Sequence, residues 1–442
     1  MDEKELFEQN PWWKGKEYIE EDYDIIKWNE KKYRWIPNIV EQITLEPFAF
    51  HTIIGPRQAG KTTVAKLLIK KLLSTNNPKE IFYFNCDDLA DYKELESVIN
   101  SYLFFKDNNS IKKSIIILDE ITSPKEWYRA IKFLIDKGKL RNDILIVTGS
   151  SSLSVKKEVE LFPGRRGKGR DYILYPLSFR SFLKVIDPIL ESKLVKIINI
   201  EELEKLAVNA MSFEKELHKH LKDYMDYGGF PLSVANLHEN KEEAKRTYLN
   251  WVKNAILKND RSESIARQII KSLIESLQSD VSWESISKKI EVKSPKTVSA
   301  YIDFMKSIFV VNILYNLDIG SRSIKFGRNK KIHFRDPLLV DIFEDWCLIK
   351  SNNKESAIAE SLVIEHLIRM FVDKVFFWRN GTEVDAVVYE KGKLYGFEVK
   401  FGEDYEAEFP NNFKKSFIIT RKDYSRNPRK IPLAVFLSLF DV

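Results

Sequence analysis

The sequence predicts an α/β protein whose first part is an open parallel sheet. Apolar segments typical of buried strands occupy residues 48–54, 80–85, 114–118 and 143–149. A strand covered by helices on both faces is expected to be apolar throughout rather than alternating. Apolar residues at helical spacing follow the first two segments, at 64–73 and 93–102. Strand and helix therefore alternate along the chain, as a parallel sheet requires.

Residues 55–63 match the phosphate-loop pattern G-x-x-x-x-G-K-[ST] at every fixed position. A glycine-bounded turn directs backbone N–H groups at one point, and the helix beginning near Lys61 adds its positive N-terminal end. The pattern predicts a nucleoside triphosphate site with ATP and Mg²⁺ as ligands. In the usual roles Lys61 reaches the β- and γ-phosphates and the Thr62 hydroxyl holds Mg²⁺. The other predicted nucleotide contacts are Gly55, Pro56, Arg57, Gln58, Ala59, Gly60 and Thr63.

The third apolar segment ends in two carboxylates, Asp119 and Glu120. An open α/β sheet binds its ligand at the carboxyl ends of its strands, so both acids are expected beside the phosphate loop. We expect Asp119 to support Mg²⁺ and Glu120 to polarise the attacking water as general base. A strand followed by an acidic helix cap would contain the same residues, but the upstream phosphate loop favours the catalytic interpretation.

Two further segments carry groups that can contact phosphate. The fourth strand segment ends at Thr148 and Ser150, and either hydroxyl could sense the γ-phosphate, although such strand ends are also ordinary helix caps. The loop 162–170 carries Arg165 and Arg166, the candidate catalytic arginines. Either guanidinium could stabilise charge on a phosphate of the same or a neighbouring subunit. A solvated loop or a nucleic-acid contact would explain the same residues.

The middle of the chain is helical in pattern from residue 178 to 260 and carries little chemistry. The cluster 228–231, Gly-Gly-Phe-Pro, interrupts it, either as a plain helix break or as a tight turn that joins a lid to the nucleotide site. Residues 265–335 predict three helices and a hairpin, with Ser282 and Ser294 as N-caps. This order is a winged-helix pattern.

The winged-helix pattern predicts contact with DNA phosphates. The candidate recognition residues are Lys296, Thr297, Ser299, Tyr301 and Lys306. The candidate wing residues are Arg322, Lys325, Arg328, Lys330 and Lys331. Modules of this kind also serve as structural joints, so both interpretations stay open.

The tail contains three strand-like runs within residues 374–400, separated by turns at 380–381 and 390–393. If the second turn centres on residues 391–392, Asp385 lies opposite Glu398 and shares a face with Lys400. Two facing carboxylates repel, so they need a proton or a cation between them, and a divalent metal meets that need. Lys400 could then orient or activate the hydrolytic water.

This arrangement resembles the PD-(D/E)XK nuclease core, whose preceding helix commonly contributes another acid, and Glu360 fits that place. The resemblance implies Mg²⁺ or Mn²⁺ held by Glu360, Asp385 and Glu398, with Asp385, Glu398 and Lys400 as catalytic residues. The alternative is a solvated sheet face with an ion pair between Glu383 and Lys400.

Several motifs together resemble the archaeal AAA+ ATPases of the extended, STAND-like group. They are residues 10–13 (Asn-Pro-Trp-Trp), 55–63, 118–120, 148–151, 164–166 and 228–231. The resemblance implies an ATPase core at 1–177, a helical lid at 178–260, a winged helix at 261–350 and a restriction-endonuclease-like α/β domain at 351–442. It also implies a homo-oligomer, with a hexameric ring as one form.

Composition is that of a globular protein, and its cysteines support neither a disulfide framework nor a zinc site. The 71 Lys and Arg against 65 Asp and Glu leave a net charge of +6, which permits nucleic-acid binding without demanding it. Only Cys86 and Cys347 are present. No apolar run is long enough to cross a bilayer, and the charged first residues do not match a secretory signal, so the expected location is the cytoplasm.

Three functions are compatible with these patterns. The leading one is an ATP-hydrolysing machine that acts on DNA and couples nucleotide state to a winged helix and a metal-dependent nuclease-like domain. The second is a regulatory switch or protein-remodelling ATPase with a non-cutting tail. The third is a nucleic-acid-binding scaffold that holds ATP without turnover, and it requires Glu120 to be idle.

Overall fold

The computed structural model describes residues 3–150, 162–292, 294–402, 407–427 and 429–442. The chain divides into two compact units, one up to Tyr175 and one from Pro176 onward. None of the helices in these described ranges combines the length and apolarity that a membrane span needs.

The first unit is built on a five-stranded sheet in which all neighbouring strands run parallel. The strand order is β2-β3-β4-β1-β5. The strands are β1 (Ala49–Ile54), β2 (Ile81–Asn85), β3 (Ile115–Asp119), β4 (Ile144–Gly149) and β5 (Asp171–Ile173). Every residue of β1, β3 and β4 is buried, which confirms the parallel sheet expected from their apolar composition.

Helices of the first unit connect and cover these strands. They are α1 (Glu3–Gln9), α2 (Tyr23–Glu30), α3 (Ile39–Gln42), α4 (Lys61–Leu72), α5 (Tyr92–Asn108) and α6 (Trp127–Asp136). Short 3₁₀ turns lie at Pro11–Trp13, Lys16–Glu21 and Pro78–Glu80. Helix α4 begins directly after the phosphate loop, so the strand, loop and helix stand in the order that the motif requires.

The segment before the first strand covers the outer edge of the sheet at β2. The buried side chain of Asn10 donates from Nδ2 to the carbonyl oxygen of Tyr83 at 2.9 Å and accepts from its N–H at 2.7 Å. The indole N–H groups of Trp12 and Trp13 both donate to the carbonyl oxygen of Ile81. These side chains make the bonds that a neighbouring strand would make, so the edge strand is not left open.

The second unit combines many helices with one mixed sheet of eight strands. Its helices are α7 (Phe179–Ile186), α8 (Pro188–Ser192), α9 (Leu203–Ala210), α10 (Glu214–Tyr227), α11 (Pro231–Ala235), α12 (Lys241–Lys258), α13 (Glu263–Glu275), α14 (Trp283–Lys289), α15 (Pro295–Ser307), α16 (Pro337–Cys347), α17 (Lys354–Met370) and α18 (Leu433–Ser438). Further 3₁₀ turns lie at Ile200–Glu202 and Met211–Phe213. The predicted N-caps are present: Ser282 accepts from Ser285 N–H and Ser294 from Thr297 N–H.

The eight-stranded sheet has the order β12-β13-β11-β10-β9-β8-β6-β7. Its strands are β6 (Val311–Asp318), β7 (Ser323–Phe334), β8 (Val375–Asn380), β9 (Thr382–Glu390), β10 (Lys393–Lys400), β11 (Lys415–Thr420), β12 (Ser425–Arg426) and β13 (Arg429–Pro432). The hairpin of the predicted winged helix, β6 and β7, joins the tail strands through β6 and β8. The predicted wing and tail therefore share one sheet.

The turn at residues 391–392 sets the register of β9 and β10. Both residues have positive φ, 48° at Lys391 and 78° at Gly392, as the tight two-residue hairpin turn requires. The pairs run from Lys393 with Glu390 to Phe397 with Ala386. This is the register predicted from the sequence, and continuing it places Asp385 beside Glu398.

Candidate functional site

The phosphate loop connects the end of β1 to the start of α4, and its shape depends on glycine at two positions. Gly60 has φ +90°, which favours glycine, and Gln58 also has positive φ at 61°. A Cβ on Gly55 would clash with the carbonyl oxygen of Leu174. The predicted loop is therefore formed, with Gly55 at its start and Lys61 at the first position of the helix.

Lys61 is buried inside this loop. Its Nζ donates to the carbonyl oxygens of Gly55 at 3.3 Å and Pro56 at 3.1 Å, and it lies 3.7 Å from Oε1 of Glu120. Burial lowers the pKa of Lys61, while the charges of Glu120 and Asp119 oppose that shift. The ammonium group thus lies folded across the loop, within the concave face that the motif assigns to phosphate.

Asp119 is the centre of a hydroxyl cluster at the carboxyl end of β3. Its Oδ2 accepts from Thr62 Oγ1 at 2.6 Å and from the Tyr83 hydroxyl at 3.0 Å, and its Oδ1 accepts from Thr148 Oγ1. Asp119 is fully buried. The structure thus brings Thr62, Asp119 and Thr148 together, and their hard oxygen donors fit Mg²⁺ bound jointly with a phosphate.

Tyr83 is the residue of this cluster that sequence reasoning missed. It lies in β2, which pairs with β3, and is opposite Ile117. Burial and then the charge of Asp119 raise the pKa of its hydroxyl, which therefore stays a donor. Lys66 Nζ stands 3.5 Å from the centre of its ring. The signal in the sequence was a tyrosine hydroxyl in a strand that is otherwise apolar except for Asn85.

Glu120 lies directly beside this cluster in a constrained backbone conformation, with φ 49°. Its N–H donates to Thr148 Oγ1 at 3.0 Å, and both of its carboxylate oxygens accept from Ser150 Oγ, at 3.0 and 2.7 Å. Thr148 and Ser150 therefore orient the two acids. This role is additional to the phosphate contact predicted from the sequence.

The structure does not bring Arg165 and Arg166 to the phosphate loop of their own chain. Arg165 pairs with Asp136, with its Nε 2.6 Å from Oδ1, on an exposed surface. Arg166 pairs with Asp171 and donates to the carbonyl oxygen of Phe50 near the start of β1, at the opposite end of that strand from the loop. A contact to a neighbouring subunit's phosphate stays a prediction.

The predicted metal-binding acids of the tail do meet, but a lysine stands among them. Lys331 Nζ lies 2.8 Å from Glu360 Oε1 and 2.8 Å from Asp385 Oδ1, and it also pairs with Glu383. Within the described parts of the chain, no group of three or more His, Cys, Asp or Glu side chains could hold a metal ion. The predicted nuclease metal centre is therefore not formed, because an ammonium group fills it.

Glu398 and Lys400 form the outer part of this cluster. Lys400 Nζ lies 2.8 Å from Glu398 Oε1, while Glu398 Oε2 accepts from the N–H of Asp385 at 3.2 Å. Burial raises the pKa of Glu360 and of Glu398, and the charge of Asp385 raises both further. The predicted ion pair between Glu383 and Lys400 is replaced by pairs of Glu383 with Lys331 and of Lys400 with Glu398.

The pKa of Lys331 is set by opposing influences. Burial would lower it, but the charges of Asp385, Glu360 and Glu383 outweigh that effect and raise it well above the ordinary value. The side chain is 1% exposed. Lys331 is therefore a buried, charged group, and the prediction that it contacts DNA on the wing is wrong.

Two other predicted DNA contacts, Lys330 and Tyr301, are also buried. Lys330 is buried with its Nζ 5.0 Å from the centre of the Trp283 ring, and Tyr301 is buried with its hydroxyl accepting from the N–H of Ser262. Both side chains are buried against other parts of the second unit, so neither is placed to contact DNA as predicted. The predicted contacts that remain exposed or half-buried are Lys296, Thr297, Ser299, Lys306, Arg322, Lys325 and Arg328.

The Gly228-Gly229 cluster ends α10 and meets a buried carboxylate. Gly228 has φ +70°, and a Cβ there would clash with Asp336 Oδ1. The N–H of Gly229 donates to Asp336 Oδ2 at 2.8 Å. Because Asp336 also caps α16, this cluster joins two helices of the second unit.

Comparisons with known protein families match three parts of the chain. An AAA domain matches residues 48–183, and two domains of unknown function, DUF8612 and DUF4143, match residues 218–343 and 355–432. Residues 48–183 are thus similar to AAA-type P-loop domains. A bifunctional 3-dehydroquinate synthase/phosphatase of Fusobacterium nucleatum is 43% identical over 56 residues, 12% of this chain and 8% of that protein.

Solved structures that match the chain include two proteins of Aeropyrum pernix, ORC2 and ORC1. The ORC2 protein in ADPNP and ADP complexes covers 68% of this chain and 88% of its own, at 13% identity and TM-score 0.39. The ORC1 protein in complex with DNA covers 76% and 96%, at 13% identity and TM-score 0.32. A RuvB variant of Thermotoga maritima covers 60% and 81%, at 18% identity and TM-score 0.26.

Proposed function

We propose that the chain binds and hydrolyses ATP with Mg²⁺ in its first unit. The cluster in which Asp119 accepts from Thr62 and Thr148 beside the phosphate loop supports this function. The phosphate oxygens of ATP accept hydrogen bonds from the backbone N–H groups of the loop. They also accept from the Lys61 ammonium group, which exchanges its carbonyl partners for phosphate oxygens. Thr62 and Asp119 are the residues that would hold Mg²⁺, and a bound Mg²⁺ would supply charge neutralisation at the phosphates.

Glu120 is the general base in this proposal. Ser150 donates to both of its oxygens, and its N–H is held by Thr148, so the carboxylate has a defined direction before a water arrives. A carboxylate held in this way can accept a proton from the attacking water without first reorganising. Glu120→Gln keeps the shape and the Ser150 contact but removes the basic oxygen.

The test compares Glu120→Gln with Glu126→Gln, which removes an exposed acid that pairs with Arg129 in the same unit. ATP turnover is expected to fall about 10²–10⁴-fold in the first variant, as general-base loss typically causes, and to stay unchanged in the second. Binding of a fluorescent ATP analogue is expected to persist in both. Undiminished turnover in Glu120→Gln would remove the residue from the chemistry and leave the ATP-holding scaffold as the better description.

We further propose that the second unit binds DNA through its β6–β7 hairpin. Phe326 is 62% exposed near the tip, beside the half-buried Lys325 and the exposed Arg322 and Arg328. An exposed aromatic ring between cations can stack on a base while the cations contact phosphate. Helix α15 adds the exposed Lys296.

The DNA proposal is tested with Arg328→Ala and Phe326→Ala, with Lys219→Ala as the control because it removes one exposed charge elsewhere in the unit. Arg328→Ala is expected to weaken binding on all sequences and to reduce the salt slope by about one. Phe326→Ala should weaken single-stranded DNA more than duplex. Equal binding by all three variants and the wild type would refute hairpin contact.

For the C-terminal strands we propose a non-cutting role, which corresponds to the switch alternative. The supporting observation is Lys331, whose ammonium pairs with Glu360 and Asp385 where a nuclease would hold its metal. Linear, flapped and four-way-junction DNA with Mg²⁺ or Mn²⁺ are expected to remain intact, with or without ATP. Cleavage that disappears in Glu398→Ala would instead establish a nuclease with Asp385, Glu398 and Lys400 as its catalytic residues.

A homo-oligomer, with six subunits as one form, stays a proposal that Arg165 can test. Its exposed pair with Asp136 is open to competition from a neighbouring subunit's phosphate. If Arg165 acts on a neighbour, mixing inactive Lys61→Ala with inactive Arg165→Ala chains restores part of the turnover. No recovery in a mixture that light scattering shows to be oligomeric would refute the shared site.

A further inference from the structure

The carboxylate cluster of the second unit contains a cation, and that cation is the ammonium group of Lys331. Three acidic side chains, from α17 and β9, converge on one point: Glu360, Asp385 and Glu383. Remaining oxygens are already engaged: Asp385 Oδ2 accepts from the N–H of Val399 at 2.9 Å, and Glu360 Oε2 from Gln278 at 3.2 Å. The oxygens that face inward are held in place by these outer bonds.

A nitrogen ligand stands next to these oxygens without a hydrogen-bond partner of its own. His333 lies two residues after Lys331 on β7, so both side chains point to the same face of the strand. Its Nε2 is 3.9 Å from Glu360 Oε1 and has no partner within the described ranges. The side chain is 3% exposed. A buried imidazole nitrogen near the Glu360 carboxylate, together with the inward oxygens of Asp385 and Glu383, is a donor set that suits Mn²⁺ or another first-row divalent ion.

We propose that the Lys331 ammonium takes the place of a divalent metal ion among these acids, and that they can bind such an ion only when this side chain is removed. One ammonium with three donor protons meets three carboxylate oxygens, which is the contact set that it now has. Removing the Lys331 side chain leaves the buried Glu360 and Asp385 and the half-buried Glu383 close together without the cation that they share. Such a group must take up protons or bind a metal.

A cavity adjoins the acid cluster on the side of Gln278. A cavity of about 590 Å³ opens beside the cluster and is lined by Gln278, Ser356 and Lys400, among others. Gln278 donates from Nε2 to both Ser356 Oγ and Glu360 Oε2, so it lies between this cavity and the cluster. A hydrated ion can therefore reach Glu360 by displacing one amide group.

The experiment measures Mn²⁺ binding to the full chain without nucleotide, by calorimetry and by the loss of the free Mn²⁺ electron-spin signal. Lys331→Ala is expected to bind one additional Mn²⁺ per chain, at least about tenfold tighter than any binding by the wild type. Lys219→Ala, which removes an exposed lysine elsewhere in the second unit, is the control and should match the wild type. Adding Asp385→Asn to Lys331→Ala should abolish the extra site.

Folding is followed in parallel by circular dichroism and thermal melting. Mn²⁺ is expected to raise the melting temperature of Lys331→Ala and not that of the wild type, because the ion binds only the folded variant. A folded Lys331→Ala that takes up no extra Mn²⁺ would overturn the proposal. If Lys331→Ala does not fold, the wild type provides the test. Mn²⁺ binding by the wild type that is lost in Asp385→Asn would show that Lys331 does not exclude a metal ion from the cluster. ATP turnover does not enter these measurements, so their outcome is separate from that of the nucleotide site.

Discussion

Replacing Asn10 with alanine is expected to loosen the edge strand β2. The side chain of Asn10 is fully buried and makes three hydrogen bonds to backbone: its Nδ2 donates to Leu6 O at 2.7 Å and Tyr83 O at 2.9 Å, and its Oδ1 accepts from Tyr83 N–H at 2.7 Å. Alanine makes none of them and leaves the backbone groups of Tyr83 buried without these partners. The disturbance falls on the residue whose hydroxyl bonds to Asp119.

The size of the effect follows from the number of bonds. At about 1 kcal/mol for each buried hydrogen bond, Asn10→Ala should lower the free energy of unfolding of the first unit by about 3 kcal/mol. For a unit of this size, that loss corresponds to a melting temperature roughly 6–12 °C lower. Gln9→Ala is the matched control, because Gln9 Oε1 accepts a single bond from Asn85 N–H at an exposed position, where water can replace it.

The assay is thermal melting of the intact chain, combined with hydrogen exchange of the peptide that covers residues 81–85. In Asn10→Ala this peptide should exchange about a hundredfold faster than in the wild type, if local opening reports the whole loss of about 3 kcal/mol. Gln9→Ala should exchange nearly as the wild type does. Indistinguishable melting and exchange in the two variants would refute the role of Asn10 as a substitute strand partner.

Three further predictions follow from single contacts. Tyr83→Phe removes one donor to Asp119 and should raise the Mg²⁺ concentration for half-maximal ATP turnover about tenfold, with nucleotide binding in EDTA unchanged; an unaltered Mg²⁺ dependence would contradict this. Burial lowers the pKa of His366 to about 3, so the folded state does not take up the proton that the unfolded state binds below pH 6.5. Stability should therefore be lost as pH falls from 6.5 towards 3, and His366→Gln should reduce that slope by about 1.4 kcal/mol per pH unit in urea titrations, whereas equal slopes would refute it. Gly228→Ala, at φ +70° and against a buried carboxylate, should lower the unfolding free energy by more than about 1–2 kcal/mol, whereas Gly327→Ala, with nothing within 4 Å of its new Cβ, should change melting little; similar melting of the two would contradict the expected strain.

Much of the first unit could be predicted because its signals are local in the chain. The phosphate loop needs only its own glycines and the helix that follows, and a buried parallel strand is recognisable from its own apolar residues. Tyr83 could not be assigned in this way. Its role depends on β2 lying next to β3, and no spacing between residues 83 and 119 expresses that pairing.

The register of β9 and β10 was also predictable, since a two-residue turn and strict alternation leave one arrangement. The sequence by itself therefore determined which residues form the phosphate loop and that Asp385 and Glu398 are neighbours. Only the tertiary structure decided which cation meets the acids. Lys331 comes from β7, far earlier in the chain than β9, and enters the cluster because β6 pairs with β8 and extends the tail sheet to β7. Local periodicity does not predict such a contact, because it indicates the face of the strand or helix on which a residue lies but not the element that packs against that face.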